Sequence, residues 1–151
     1  MRRALALPVV ALALVACGGA ALSPSGPRPV SFTEIATTQN AGHDGGAAIV
    51  VGAAADQTAG AAAPPGRVLV AVYQGQQRTG GHGIRVDRIE RDGDRLVVHA
   101  TLASPPPGSF VTQALTSPAH VVAVAAADLD GLRTAVLLDA SGSEQAHSEI
   151  R

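Results

Sequence analysis

Residues 83–103 read GIRVDRIERDGDRLVVHATLA and decide the fold of this 151-residue chain. Its two halves, each of strand length, flank the pair Asp92–Gly93, which is typical of a tight turn with positive φ at both central positions. With these two residues as the turn, Glu90 faces Arg95, and opposite charges in such a cross-strand pair favour the register. The stretch is therefore predicted to be a β-hairpin.

The apolar residues of this hairpin predict one buried face and one irregularity. In the same register Ile89 faces Leu96, and every second residue after Leu96 is apolar. Ile84 and Val86, however, fall out of phase with Ile89. One extra residue would restore the phase, so a β-bulge is predicted near residues 87–88.

Further apolar or β-branched runs outside the hairpin predict five more strands, at 30–38, 48–54, 67–74, 120–124 and 133–139. Residues 55–66 are predicted to be a mobile loop, because Gly60 and two prolines interrupt any helix. Residues 125–132 allow one short helical turn, and residues 140–151, which lack an apolar face, are predicted to be a loose tail.

The fold class predicted from these strands is all-β. The domain is expected to span residues 30–139 as a single small antiparallel β-sandwich or open barrel, built as a meander of hairpins with little helix. Its core must consist of Val, Leu, Ile and Ala, because the whole sequence holds two Phe, one Tyr and no Trp.

The N-terminus has the features of an export signal: two arginines followed by an apolar run that ends at Ala16. The letters LVAC at 14–17 resemble the lipobox of bacterial lipoproteins. That resemblance implies that residues 1–16 are a removed signal peptide and that Cys17 is acylated. Residues 17–29 are predicted to be a flexible tether. The expected location is the bacterial cell envelope, membrane-anchored and facing the periplasm or the cell surface.

The composition argues against a nucleic-acid partner and against an intrachain disulfide. From Cys17 onward the chain carries nine Arg and no Lys against 12 acidic residues, a net charge of −3, whereas nucleic-acid-binding domains are basic. A single cysteine has no intrachain partner, so the domain folds without a disulfide. We therefore expect no nucleic-acid partner and a fold that depends on its core.

A glycine-rich stretch, GQQRTGGHG at 75–83, has the G-x-x-x-x-G spacing of a phosphate-binding loop. Such a loop needs Lys and Ser or Thr after its second glycine, and then a helix whose N-terminus faces the anion. Here Gly80 is followed by Gly81 and His82, and a strand follows in place of the helix. The stretch is therefore predicted to connect two strands without binding phosphate.

No catalytic constellation is visible in the sequence. Of the five histidines only His82 and His120 could meet, and two ligands are too few for a zinc site. Ser109 and Ser117 lack the context of a nucleophile elbow, and the single thiol is assigned to the anchor. The chain is predicted to be no enzyme, with no cofactor, no metal and no catalytic residue.

Two irregular loops are candidates for recognition. If the strands from residue 68 onward alternate in direction, loops 75–82 and 104–118 lie at the same end, and recognition commonly uses loops on a rigid β scaffold. Phe110 either anchors a partner there or plugs the space under the long loop. The predicted partner-binding residues are Thr79, Gly80, Gly81, His82, Phe110, Gln113, Thr116, Pro118 and His120.

Residues 68–124 resemble the C-terminal domain of the protease-complex subunit PrcB family. The similarity comprises an apolar strand, G-x-x-x-T-G-G from Gly75, the charged hairpin, P-x-P-G at 105–108 and T-Q-A-L-T-S-P-x-H-V-V at 112–122. It implies an accessory subunit that assembles or stabilises a peptidase, with an exported peptidase as the candidate protein partner. It does not imply a substrate.

The chain departs from the family pattern in three places. Arg78 stands where the family usually has Pro, and His82 and Ala119 stand where it usually has an aromatic residue. The usual helical lead-in is replaced by the Ala-rich loop. If the family's aromatic residues touch a partner, two contacts are lost here.

Two other functions remain open on the sequence. The RTGGH stretch at 78–82 resembles the Thr-Gly loop that chagasin-type inhibitors insert into cysteine-peptidase clefts, which favours a peptidase inhibitor. An envelope spacer without a dedicated partner is the third interpretation. Neither the oligomeric state nor the membrane is predicted.

Overall fold

A computed structural model describes residues 26–60 and 62–151 of the chain. The predicted signal peptide, the predicted acylation site Cys17 and most of the predicted tether lie outside these residues. Among the described residues, no helix has both the length and the apolar character needed to cross a membrane.

Nine strands form two sheets. The strands are β1 Arg28–Val30, β2 Phe32–Thr38, β3 Ala48–Val51, β4 Arg67–Tyr73, β5 Gly83–Asp92, β6 Arg95–Ala103, β7 Ala119–Ala125, β8 Thr134–Leu138 and β9 Glu144–Glu149. Sheet A has the order β1-β5-β6-β8-β9, and sheet B has the order β2-β7-β4-β3. One α-helix, α1 Ala53–Ala59, and a 3₁₀ helix, Ala126–Leu129, complete the described elements.

The all-β sandwich is confirmed, but the predicted meander is wrong. β4 and β7 pair with each other in sheet B, whereas the hairpin β5–β6 between them belongs to sheet A. One pair, β6–β8, is parallel. The reason lies in the apolar character of β4 and β7: both of their faces are buried, so they occupy the centre of one sheet and do not flank the hairpin.

The β5–β6 hairpin contains the predicted bulge, at the register shift between Val86 and Arg88. The turn differs from the prediction, because Asp92 pairs with Arg95 and the turn residues are Gly93 and Asp94. Gly93 has a φ of +62° and no described non-glycine residue has positive φ, so the glycine takes the first central position. The register moves by two residues, which leaves the same side chains on the same face.

The main core lies between the sheets. The bulge brings Ile84, Val86 and Ile89 to the same buried face, as predicted, where they meet Leu96 and Val98 of β6. The side chains that complete it from the other strands are Val30, Ile49, Val70, Val72, Ala100, Val122, Val124, Leu132, Ala135 and Leu137. Small and β-branched side chains fill the space without aromatic rings.

A second apolar cluster covers the outer face of sheet B. It includes part of the segment 55–66, which was predicted to be a mobile loop. Helix α1 forms there and packs Ala55 against Leu69 and Ala71 of β4. Gly60, with a φ of +66°, ends the helix as its C-terminal cap and does not prevent it. A short helix therefore precedes β4, where the sequence predicted only an Ala-rich loop.

Both termini of the predicted domain need correction. The tail predicted to be loose forms β9, which pairs with β8 and contributes Ala146 and Ile150 to the edge of the main core. At the other end, Arg28 and Pro29 of the predicted tether belong to β1, because Val30 is buried beside β5. Few apolar residues mark either strand, since each lies at a sheet edge with one exposed face.

Candidate functional site

Three loops form one end of the sandwich, which we call the loop end: residues 39–47, 74–82 and 104–118. The second and third loops are joined by main-chain hydrogen bonds. Gln77 and Thr116 exchange two, at 2.8 and 2.9 Å, and the Gly80 N–H donates to the Thr112 carbonyl at 2.9 Å. The Thr116 hydroxyl donates to the Thr79 carbonyl at 3.0 Å. The predicted convergence of these two loops is confirmed.

The Gly80–Gly81 pair allows this close approach. A Cβ on Gly80 would collide with the Thr112 hydroxyl, and one on Gly81 would lie 3.1 Å from Cβ of Pro105. Gly81 also has a φ of +84°. Strand β5 starts at Gly83, where a phosphate-binding loop would need a helix. The glycines therefore serve loop-to-loop packing.

The first loop, 39–47, was not predicted to join this end, and Ser117 fixes it there. The Ser117 hydroxyl donates to the His43 carbonyl at 2.9 Å and accepts the His43 N–H at 3.1 Å. Main-chain bonds link Ser117 to Gln39 and Ala41 as well. No sequence pattern around Ser117 predicts its hydrogen bonds to a loop 74 residues away, so only the structure reveals them.

We expect Ser117→Ala to destabilise the protein by about 1–2 kcal/mol, because it leaves the His43 N–H without its acceptor. The matched control is Ser109→Ala. Ser109 is exposed, and its hydroxyl donates only to the nearby Pro106 carbonyl, so a change within about 0.5 kcal/mol is expected. Urea unfolding measures both variants. Equal midpoints for the two would show that Ser117 does not fix the first loop.

Helix α1 contacts the loop end from the side and helps to hold it in place. The Tyr73 hydroxyl, at the end of β4, hydrogen-bonds the Thr58 hydroxyl of α1. The His43 ring lies on Tyr73, with ring centroids 4.7 Å apart. The first loop is thus held between a helix and the third loop, which favours one fixed shape.

Two large apolar side chains project from the third loop. Phe110 is fully exposed, and Leu115 is 64% exposed. The interpretation of Phe110 as a plug under the loop is therefore wrong. A cleft of about 230 Å³ adjoins Leu115 and is bounded by Asp44 and Gln76 of the other two loops. Neither Phe110 nor Leu115 contributes to the two apolar clusters of the fold.

The remaining loop residues that were predicted to bind a partner differ in their exposure to solvent. Gln113 and Gly81 are exposed, whereas Thr79, Gly80, His82 and Thr116 are half-buried between the loops. Pro118 is buried, so its predicted role in partner binding is wrong. Only two side chains of the loop end, Asp44 and Arg78, carry a formal charge.

His120 was also predicted to face a partner, and this too is wrong: the residue is only 1% exposed. It points inward from β7, and its Nδ1 accepts the Val86 N–H at 2.9 Å, at the bulge of β5. Its Nε2 lies 3.9 Å from a carboxylate oxygen of Glu34. Burial lowers the pKa of His120, and the Glu34 charge opposes this only in part.

The other histidines are dispersed. His99 lies on the outer face of sheet A, where its Nε2 is 3.0 Å from a carboxylate oxygen of Glu90. His147 lies on β9. Among residues 26–60 and 62–151, no group of three or more His, Cys, Asp or Glu side chains could hold a metal ion.

Comparison with known proteins matches residues 68–125 to the family model described as PrcB C-terminal. This match, over a little more than a third of the chain, supports the resemblance that the sequence motifs indicated. No curated protein and no solved structure matches the chain. The PrcB C-terminal segment extends from β4 to β7, so it comprises the centre of sheet B, the hairpin of sheet A and both recognition loops.

The match is consistent with an accessory role in a protease complex and with a protein that is not itself an enzyme. One departure from the PrcB pattern has a structural meaning. Ala119 is fully buried in the cluster beneath α1, so an aromatic residue at this position would lie in that cluster and would not touch a partner. The changes at Arg78 and His82 both lie in the second loop of the loop end.

Proposed function

We propose that this chain is a non-catalytic binding module of an exported protease complex, anchored in the cell envelope through acylated Cys17. Its loop end docks onto a protein partner. The observation that carries the proposal is the fully exposed Phe110 on a loop that hydrogen bonds hold in place. Support for the protease complex comes from the PrcB C-terminal match.

Phe110 suits the role of an anchor because it is held ready for binding. The third loop is bonded to the second through Thr112 and Thr116, so little loop ordering remains to be done on association. A buried aromatic side chain is a common centre of binding energy in protein interfaces. Leu115, with its neighbouring cleft, supplies a second apolar contact.

The charge of the loop end indicates the chemistry of the partner surface. With only Asp44 and Arg78 charged, and with four of the five loop glutamines at least partly exposed, the surface offers amide and hydroxyl groups around the two apolar side chains. That pattern suits an uncharged protein surface with an apolar pocket. It does not suit a phosphate-rich ligand.

The inhibitor interpretation is less well supported by this geometry. An inhibitory loop must project alone into a peptidase cleft. Here the main chain of Gln77, Thr79 and Gly80 is bonded to residues 112–116, so residues 78–82 lie against a second loop. The projecting side chain belongs to the third loop.

The test is a pull-down from envelope extract with the tagged full-length chain. Phe110→Ala with Leu115→Ala should reduce capture of the specific partner at least tenfold, a loss of about 1.4 kcal/mol. Ile35→Ala is the matched control, because Ile35 is an exposed apolar residue of β2 outside the three loops. Equal capture by all three chains would contradict the proposal.

The captured protein separates the alternatives. A subunit raises the abundance or stability of a peptidase, an inhibitor lowers its turnover at near-stoichiometric ratio, and a spacer captures nothing specific. The anchor is tested in the same cells with Cys17→Ala, which should move the chain from the membrane fraction to the soluble fraction. A chain that stays in the membrane fraction would argue against acylation.

A further inference from the structure

Four strands form the edges of the two sheets: β1, β2, β3 and β9. Exposed edges invite pairing with other strands, and proteins usually block them with proline, charge, bulges or shortness. β1 has three residues and contains Pro29. β2 is interrupted by a register shift between Glu34 and Ala36. β9 carries Glu144 and Glu149 at its two ends. Three of the four edges are therefore protected.

β3 has no proline, no charge and no bulge, and with four residues it is one residue longer than β1. Residues 45–55, GGAAIVVGAAA, contain no charge and no proline. β3 pairs with β4 in unbroken register, and no described residue pairs with its other side. Helix α1 packs on the outer face of sheet B, where Ala48 and Val50 of β3 adjoin the cluster that contains Ala55, and it does not pair with this edge.

The hydrogen-bonding groups of this edge can be assigned from the pairing. The Gly52 N–H donates to the Leu69 carbonyl of β4 at 2.8 Å. Groups on an extended strand alternate in direction, so Val50 also points toward β4, while Ile49 and Val51 point their N–H and C=O groups outward. The free edge thus offers two donors and two acceptors.

We propose that β3 pairs with β3 of a second copy of this chain, antiparallel and across a two-fold axis at Val50. Ile49 of each copy then faces Val51 of the other, and each such pair exchanges two main-chain hydrogen bonds. Sheet B becomes one eight-stranded sheet. The pairing does not depend on the proposed function.

The choice of a second copy rests on charge. In a two-fold contact every side chain near the axis meets its own equivalent, so any charge there would face a like charge. Residues 45–55 have no charge to repel. Because only a short strand is paired, the dimer should be weak, with a Kd on the order of 1 mM.

The test is disulfide cross-linking of the full chain in which Cys17→Ala removes the only native cysteine. Val50→Cys places two thiols in a non-hydrogen-bonded pair on the axis, at a Cα separation of about 4.5 Å, within the range that a disulfide spans. Thr33→Cys, on the exposed face of edge strand β2, is the control. Val50→Cys should cross-link at least tenfold faster.

A second measurement keeps the proposal testable if Val50→Cys does not fold. Sedimentation of the Cys17→Ala chain should show its average mass rising toward two chains between about 10 µM and 1 mM. Val50→Lys, which opposes two ammonium groups on the axis, should abolish the rise. The Ile49 and Val51 amides should exchange more slowly at the higher concentration. Monomer mass throughout, with concentration-independent exchange, would overturn the pairing.

Discussion

Replacing Gly75 by alanine is expected to destabilise the protein by about 3–4 kcal/mol. Gly75 has a φ of +88°, which alanine adopts only with strain. An added Cβ would also lie 2.6 Å from the carbonyl carbon of Gly46 and 2.9 Å from the Gly45 oxygen. Both obstacles are backbone, so no side chain can turn away to relieve the collision. The second loop would have to separate from the first.

The matched control for this prediction is Gly142→Ala. Gly142 has a φ of +84°, but nothing lies within 4 Å of its hypothetical Cβ, so only the conformational strain remains, about 1 kcal/mol. Urea unfolding of the two variants and the wild type gives the difference. If both variants lose the same stability, the contact between the first two loops is not what requires a glycine at position 75.

His120→Ala is expected to cost about 3–4 kcal/mol at pH 7.5, because it opens a cavity and leaves the Val86 N–H without an acceptor. His120→Asn is the matched variant. Its side-chain oxygen lies one bond beyond Cγ, as Nδ1 does, and can accept the same N–H. We expect Asn to recover about 1–2 kcal/mol of the loss. Equal losses for Ala and Asn would show that the hydrogen bond contributes little.

The same histidine makes stability depend on pH. Burial lowers its folded-state pKa below the ordinary histidine value of 6.5. The unfolded chain therefore binds the extra proton first, and the contribution of neutral His120 is complete above pH 6.5 and declines as the pH falls below it. Protonation of Nδ1 also removes the acceptor of the Val86 N–H. Glu34 and Asp87 favour the proton, whereas Arg85 opposes it.

The measurement is the free energy of unfolding of the wild type and His120→Asn between pH 8 and pH 5. The wild type should lose its advantage over the Asn variant as the pH decreases, with a slope of at most about 1.4 kcal/mol per pH unit for one proton. The other four histidines are the same in both proteins, so their effects cancel in the difference. A difference that stays constant with pH would contradict the assignment.

The strands and faces of the central hairpin could be predicted because they follow from a local period of two. The alternation of Ile84, Val86 and Ile89 required a bulge, and the bulge is present. The exact turn was misplaced, since glycine and its neighbours leave several turn types open. Sheet membership could not be predicted, because β4 pairs with β7 across the whole hairpin, and local pattern does not encode that distance.

The candidate site, like the fold, could be predicted from the sequence only in part. Two of its loops were predicted to converge because strand direction alone determines which end they occupy. The first loop joins them through one hydroxyl, that of Ser117, and His120 turns inward because it follows the buried side of β7. Such contacts depend on which distant residues the fold brings next to each side chain, and a local sequence pattern does not contain that information. The same holds for α1, whose alanines are stabilised as a helix by the face of sheet B.

The sheet order also has a consequence for how the chain acquires its structure. Val30 of β1 pairs with Ile89, and Phe32 of β2 pairs with Val124. During synthesis the first two strands therefore stay unpaired until their partner strands emerge about 60 to 90 residues later. Sheet B cannot be completed before β7 has been synthesised. Long sequence separations of this kind slow folding to milliseconds or seconds. The nascent chain stays extended and accessible to chaperones until almost all of the PrcB segment has been made.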